Sequence, residues 1–279
     1  MNRVAVIIPC FDDGSTLGEA IASLRAEEPH ELVVVDDGST DGATLAALAA
    51  LEREGTRVVA RDNGGLAAAR MSGVAATEAP YVFPLDADDL LLPGALAALA
   101  DALDARPRAA VAWGDLQLFG AFDLHVRTAE ALDPWLITYL SEVPGTSMVR
   151  RAALDDAGGW SLRSGYEDWD LWLALAERGW TGVRIERDVL RVRQHTGRLN
   201  AGWLERHGDF VDELRRRHPE LYARRRTTRR ASRAPLRSKL LFPALERLPL
   251  AARDRFRLMR LVHHPVRMLG ARRQRRAAR

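Results

Sequence analysis

The chain has 279 residues, 47% of them hydrophobic and 28% charged, a balance that excludes disorder throughout and suits one sizeable α/β domain with a smaller appendage. A single cysteine, Cys10, excludes an internal disulfide framework or a Cys-rich zinc site and reads as cytoplasmic. The formal net charge of +3 hides an asymmetry, because from residue 215 onward Arg and Lys outnumber Asp and Glu by about nineteen, leaving the earlier part acidic.

The opening "MNRVAVIIPCFDDG" has too short an apolar run for a signal peptide, and no later run reaches the roughly 18 apolar residues of a spanning helix. "RVAVIIP" and "ELVVVDDGS" predict strands buried on both faces, followed by the helices "TLGEAIASLRAE" and "GATLAALAALERE". "RVVARDNGG" and "PYVFPLDADD" continue as third and fourth strands around the helix "GLAAARMSGVAA". Alternation of this kind implies a mainly parallel sheet flanked by helices.

The pattern then loosens. "AAVAWGDLQLFG" predicts a strand or hairpin arm, "AEALDPWLITYLSE" a helix, and "GTSMVRRAALDDAGG" a strand leading into a helix. "EDWDLWLALAERGW" sets Leu171, Trp172 and Leu175 at helical spacing and stops near Gly179, and "GVRIERDVLRVRQH" follows as a strand. Beyond residue 200 the chain is Arg-dense, with prolines dividing Leu-, Phe- and Met-containing stretches into short helices. The expected organisation is a domain over residues 1–200 and a basic, mostly helical extension over 201–279.

Ligands of open α/β sheets bind at the carboxyl ends of the strands. Those ends carry Phe11 and Asp12; Asp36 and Asp37; Arg61 to Asn63; and Asp86, Asp88 and Asp89. Three carboxylates within four residues repel one another, and a divalent ion such as Mg2+ or Mn2+, which favours oxygen ligands, offsets that repulsion. An acidic turn is otherwise a solvated helix start. "VVVDDGSTD" suits a strand-to-helix turn, yet Asp36 and Asp37 directly after three valines also offer acceptors to a nucleoside. "RDNGGLAAARMSG" lacks both the phosphate-loop and the dinucleotide fingerprints; its Arg70 serves either an anionic ligand or a surface ion pair. In "SGYEDWDLWLALA", Glu167 and Asp168 open an amphipathic helix, where the dipole favours acids, with Tyr166 and Trp169 beside them as surfaces for a sugar ring.

Taken together these stretches resemble glycosyltransferase family 2, the inverting nucleotide-sugar enzymes with the GT-A fold. The matching segments are "VAVIIPCFDDGSTL", "LVVVDDGSTDGA", "RDNGGLAAARMSGV", the DxD region "YVFPLDADDLLLPGAL", the ED motif "GYEDWDLWLALA" and the R-x-H ending "LRVRQH", and they span roughly residues 3 to 200. The resemblance implies that Pro9, Phe11 and Asp37 line the nucleoside pocket and that Arg70 sits near the nucleotide. It makes Asp86 a ribose or metal-assisting group, Asp88 the main ligand of Mn2+ or Mg2+, and His195 the completion of the metal or diphosphate site. Asp168 matches the catalytic base, with Glu167 as the alternative. Asp12 departs from the pattern, since an asparagine commonly follows the aromatic residue.

The implied reaction is an inverting, metal-assisted transfer from a nucleotide-diphosphate sugar, a UDP-sugar favoured, to a hydroxyl acceptor. The rivals are a binding protein that keeps the pocket without turnover and a nucleotidyltransferase, although the latter usually carries a basic Gly-rich loop where "PCFDDGSTL" is acidic. The extension suits an anionic membrane surface, which would place the protein peripherally on the inner face, or packing against protein; nucleic acid would leave its apolar residues after Leu240 without a purpose.

Overall fold

The structure, a computed structural model, describes residues 2–195 and 205–265. Its contacts divide the chain into two compact units, Met1–Leu132 with Val143–Leu199 and Asp133–Glu142 with Asn200–Arg279. The expected boundary at residues 200 and 201 lies outside the described residues.

The first unit is built on a nine-stranded sheet. Strands β1 (Val4–Cys10), β2 (Glu31–Asp36), β3 (Arg57–Ala60) and β4 (Tyr81–Pro84) pair in parallel in the order β3-β2-β1-β4. All seven residues of β1 are buried, as both faces of a helix-covered parallel strand must be. Helices α1 (Gly14–Ser23), α2 (Gly42–Arg53) and α3 (Leu66–Ala75) connect these strands. Asp41 starts α2 by accepting the Thr44 N–H at 2.8 Å. Helix α3 lies so close to β1 that a Cβ on Gly73 would fall 2.3 Å from Ile7 Cγ2, so glycine is what permits that approach.

The second half of the sheet is mixed. The leucines after the acidic loop form a short β5 (Leu90–Leu91), followed by α4 (Ala95–Asp104), the long β6 (Ala109–Gly120) and β7 (Leu124–Val126). Strand β8 (Met148–Arg150) runs antiparallel between β4 and β6 and leads into α5 (Arg151–Ala157). Helix α6 (Glu167–Glu177) precedes β9 (Thr181–Gln194), which lies between β6 and β5.

The helix expected over "AEALDPWLITYLSE" does not form; only a 3-10 turn at Leu136–Thr138 is present. Pro134 denies the residues before it a continuous helical ladder, and the Asp133 carboxylate, accepting the N–H groups of Trp135 and Leu136, each at 2.9 Å, starts only a short turn after it. The apolar residues of this stretch are buried in the second unit, where Trp135, Leu136, Tyr139 and Leu140 form a core with Ala234, Phe242 and Met259. Around them run α7 (His207–Arg217), α8 (Pro219–Ala223), α9 (Arg225–Ala231), α10 (Leu236–Glu246) and α11 (Ala252–His263). Among the described residues no helix is long and apolar enough to cross a membrane.

Candidate active site

Parallel pairing sets the ends of the first four strands on one edge of the sheet. Cys10 is in register with Asp36, Asp36 with Ala60, and Ile7 with Pro84. The N–H groups of Asp37, Arg61 and Leu85 continue the ladder onto Cys10, Asp36 and Ile7 carbonyls at 2.9, 3.0 and 2.9 Å. The loops that follow therefore share that edge.

Pro9 is buried inside β1, whereas Phe11 is 47% exposed directly beyond it. Asp37 is buried; one carboxylate oxygen accepts the Gly64 N–H at 3.0 Å and pairs with Arg61, and the other accepts the Gly65 N–H at 2.8 Å. The "DNGG" turn is thus held by the second strand's aspartate. Asp12 sits at φ 54°, in the left-handed region that short polar side chains tolerate, and its Oδ1 accepts the N–H groups of Thr40 and Asp41 at 2.7 and 2.8 Å.

Arg70 is the organising cation. It projects from α3 and is 2% exposed, with Nη2 donating to Asp86 Oδ1 and Nη1 to Glu167 Oε1, both at 3.1 Å. The Trp160 ring lies 5.6 Å from its guanidinium carbon. Burial works against that charge, but Asp86, Glu167 and Asp168 outweigh it and hold Arg70 ionised. The loop after β4 and the first turn of α6 are tied together through one side chain.

Beside this pair stands Asp168. Burial, and next the charge of Glu167, push its carboxyl up to about 7, against the opposing pull of the Trp169 N–H and of Arg70. The residue retains some contact with solvent. Tyr166, at φ 60°, enters the helix in the left-handed conformation and packs on Trp169, ring centroids 5.3 Å apart. A Cβ on Gly145 would lie 3.2 Å from Asp168 Oδ2, so the segment before β8 also approaches the carboxyl closely.

The acidic loop meets the end of β9 for a reason of register. Strand β5 pairs antiparallel with β9, Leu90 opposite Arg191, so residues before Leu90 face those after Arg191. His195 Nε2 lies 2.8 Å from Asp88 Oδ2; the Asp89 carboxylate accepts the Arg193 N–H at 2.9 Å, and Arg193 Nε donates to the Asp88 carbonyl at 3.0 Å. Burial, then Asp86 and Asp88, push the Asp89 carboxyl up to about 8. The Asp88 carboxylate, partly open to solvent and within a surplus of acidic groups, is an oxygen ligand of the kind Mg2+ or Mn2+ takes, and the His195 imidazole in contact with it offers a nitrogen beside it. The residues present fit such an ion.

The structure brings together Asp86, Arg70 and Glu167, and Asp88 with His195, all of them residues that the sequence singled out, whereas most of their supports were not. Trp160 and Gly145 carry no motif of their own, Arg193 was visible only as the first residue of R-x-H, and Arg61 was visible at the end of the third strand but its pairing with Asp37 was not. Sequence reasoning also missed Asp115, His125 and Asp188, whose ligand atoms lie within 4.8 Å of one another on β6, β7 and β9. There the buried Arg184 already supplies positive charge, donating to Asp115 through Nε at 3.0 Å and Nη2 at 2.5 Å.

Solved structures share this architecture. S. aureus TarS superposes with a TM-score of 0.57 at 19% identity over 95% of this chain and 52% of that one, so the present chain spans about half its length. TarS 1-349 in complex with UDP-GlcNAc gives 0.58 at 18% identity, covering 95% and 87% of the two chains. Its complex with UDP gives 0.57 at 17%, covering 96% and 92%. At such identities the likeness establishes the fold. No curated protein matches the chain. Residues 5–157 match the family Glycosyl transferase family 2, a span that takes in Pro9, Phe11, Asp37, Arg70, Asp86 and Asp88, and this chain belongs to that family.

Proposed function

We propose that the protein is an inverting glycosyltransferase that moves a sugar from a nucleotide-diphosphate sugar to a hydroxyl acceptor in a single displacement. The observation that carries this reading is Asp168, a carboxyl at about 7 next to the Glu167–Arg70–Asp86 chain. A general base is most effective with a pKa near the working pH. Glu167 is already engaged by a buried guanidinium, which leaves Asp168 as the acceptor of a proton.

The chain's own groups supply the steps. Phe11 and the Asp37-ordered turn present a stacking surface and polar acceptors to the nucleoside, a UDP moiety being the one found in the TarS complexes. Asp86, fixed by Arg70, faces the ribose. The acceptor hydroxyl gives its proton to the Asp168 carboxylate as its oxygen bonds to the anomeric carbon; the bond from that carbon to the diphosphate oxygen breaks on the opposite side, and the nucleoside diphosphate leaves. Mn2+ or Mg2+ held by Asp88 and His195 would supply positive charge for the leaving diphosphate. A leaving group so stabilised needs no second carboxylic acid, unlike the alkoxide of a glycoside hydrolase.

The test incubates the protein with a panel of UDP-sugars and candidate acceptors and follows nucleoside diphosphate release and the anomer of the product. UDP release with inverted configuration, lost in Asp168→Asn while donor binding persists, is the expected result. Retained configuration, or transfer by Asp168→Asn at the parent rate, overturns the base assignment. Pyrophosphate release would instead assign nucleotidyl transfer.

A further inference from the structure

Helix α10 of the second unit exposes leucines away from its buried side chains. Its buried side chains include Ser238 and Phe242, the latter in the core with Trp135 and Met259. At 100° per residue the opposite arc carries Leu236, Leu240 and Ala244, with Leu241 on its flank, and continues past the helix end at Leu248. Leu236, Leu240, Leu241 and Leu248 are 70%, 58%, 45% and 42% exposed. A lone exposed leucine is ordinary, whereas several on one face signal a surface that meets something apolar.

The charge around this face restricts what that is. Between residues 226 and 265 Arg and Lys number eleven and Asp and Glu two, and both acids are occupied. Glu246 accepts from Arg225 at 2.7 and 2.9 Å, and Asp254 pairs with Arg257 at 3.3 Å. Arg247 stands exposed in line with Leu240 on the same arc, and Arg253 and Arg257 are exposed on α11. A second copy docking by a two-fold contact would set this basic rim against itself, which like-charge repulsion opposes. Nucleic acid would satisfy the arginines and leave the leucines in water. An anionic bilayer satisfies both, taking the leucines at the acyl boundary and the arginines at the headgroups. With eleven residues, α10 is about 16 Å long, suited to lying in the interface.

We propose that the second unit docks the protein peripherally on an anionic membrane surface through the leucine face of α10, with the surrounding basic side chains on lipid phosphates. This goes beyond the glycosyl transfer and stands independently of it.

The test is co-sedimentation of the full chain with phosphatidylcholine vesicles and with vesicles in which phosphatidylglycerol makes up about a third of the lipid. Binding to the mixed vesicles should exceed binding to the neutral ones by about tenfold or more at low salt and weaken as salt is added. Leu240→Glu with Leu241→Glu should lower it by about tenfold, and the milder Leu240→Ser with Leu241→Ser should lower it in the same direction while melting at the parent temperature. Arg247→Gln with Arg253→Gln should reduce the dependence on phosphatidylglycerol. Absence of binding to the mixed vesicles at low salt, or binding that ignores both leucine pairs, overturns the proposal. A parent dimer in light scattering that the same leucine changes dissociate would assign the face to a second copy and also overturn it.

Discussion

Arg70 Nη1 lies 3.1 Å from Glu167 Oε1 while Nη2 lies 3.1 Å from Asp86 Oδ1, so one buried guanidinium couples the donor side of the proposed site to the helix that carries its base. Arg70→Met removes the cation and leaves Glu167 largely buried without its partner. Breaking such a pair costs about 3–5 kcal/mol, and the partly exposed Asp86 brings the expectation to the lower end. Asp168 also loses an attractive charge, so its pKa rises further and the acidic limb of the kcat profile moves to higher pH. Denaturant melts and kcat against pH read the two effects separately. Arg70→Lys should recover little, because a single ammonium does not reproduce the two-pronged donation. An unchanged profile in Arg70→Met would show that the guanidinium has no influence on the base.

Asp168 makes a second prediction that does not depend on activity. Its folded-state pKa, at about 7, lies above the ordinary aspartate value of about 3.9. The folded chain therefore favours the protonated form; the associated stability is fully present below pH 4 and is lost as pH rises through about 7. Asp168→Asn removes the ionisation. The variant should gain Tm relative to the parent, more at pH 8 than at pH 5, while losing transfer activity, the trade-off expected where function maintains a buried charge. Calorimetry at the two pH values checks the sign, and a gain that shrinks toward alkaline pH contradicts it.

The Asp88–His195 contact predicts how metal affinity divides. Removing either donor, by Asp88→Ala or His195→Ala, should weaken Mn2+ binding in titration calorimetry by at least about tenfold, the loss that even a supporting outer partner produces. Asp115→Asn should leave that binding unchanged, since Arg184 already neutralises Asp115. Chelator treatment of the parent should abolish donor turnover and Mn2+ should restore it.

How much of this was legible beforehand divides at about residue 105. The centres of the first four strands are apolar and the loops after them carry Asp12, Asp37, Asp62 and Asp86, so periodicity and composition alone identify the sheet and the edge where those carboxylates gather. Arg184 and Asp115, buried in contact between β6 and β9, were invisible, because their partnership depends on a parallel pairing of strands some seventy residues apart. The fate of residues 129–142 was misread for a related reason. Helical spacing reports that Trp135, Leu136 and Tyr139 are buried, but not which core they join, and Asp133 and Pro134 decide the backbone locally. The family match ends at residue 157, whereas Asp168 and His195 come from α6 and the end of β9; only short motifs pointed to them.

The most indirect prediction concerns Gly73, three residues after Arg70 on α3. A Cβ there would stand 2.3 Å from Ile7 Cγ2 and 3.0 Å from Cγ1, closer than side chains approach, so Gly73→Ala forces α3 away from β1. Overpacking of this kind costs about 1–3 kcal/mol. Because Arg70 rides on the same helix, the displacement should also loosen its contacts with Asp86 and Glu167, lowering kcat more than an equally destabilising core change distant from the site, such as Leu99→Val. Ile7→Ala removes the obstructing atoms. Combined with Gly73→Ala it should cost less than the sum of the two single changes and should recover part of kcat, a coupling that a double-mutant cycle measures directly. Additive stabilities with no recovery of kcat would mean that the spacing of α3 from β1 does not position Arg70.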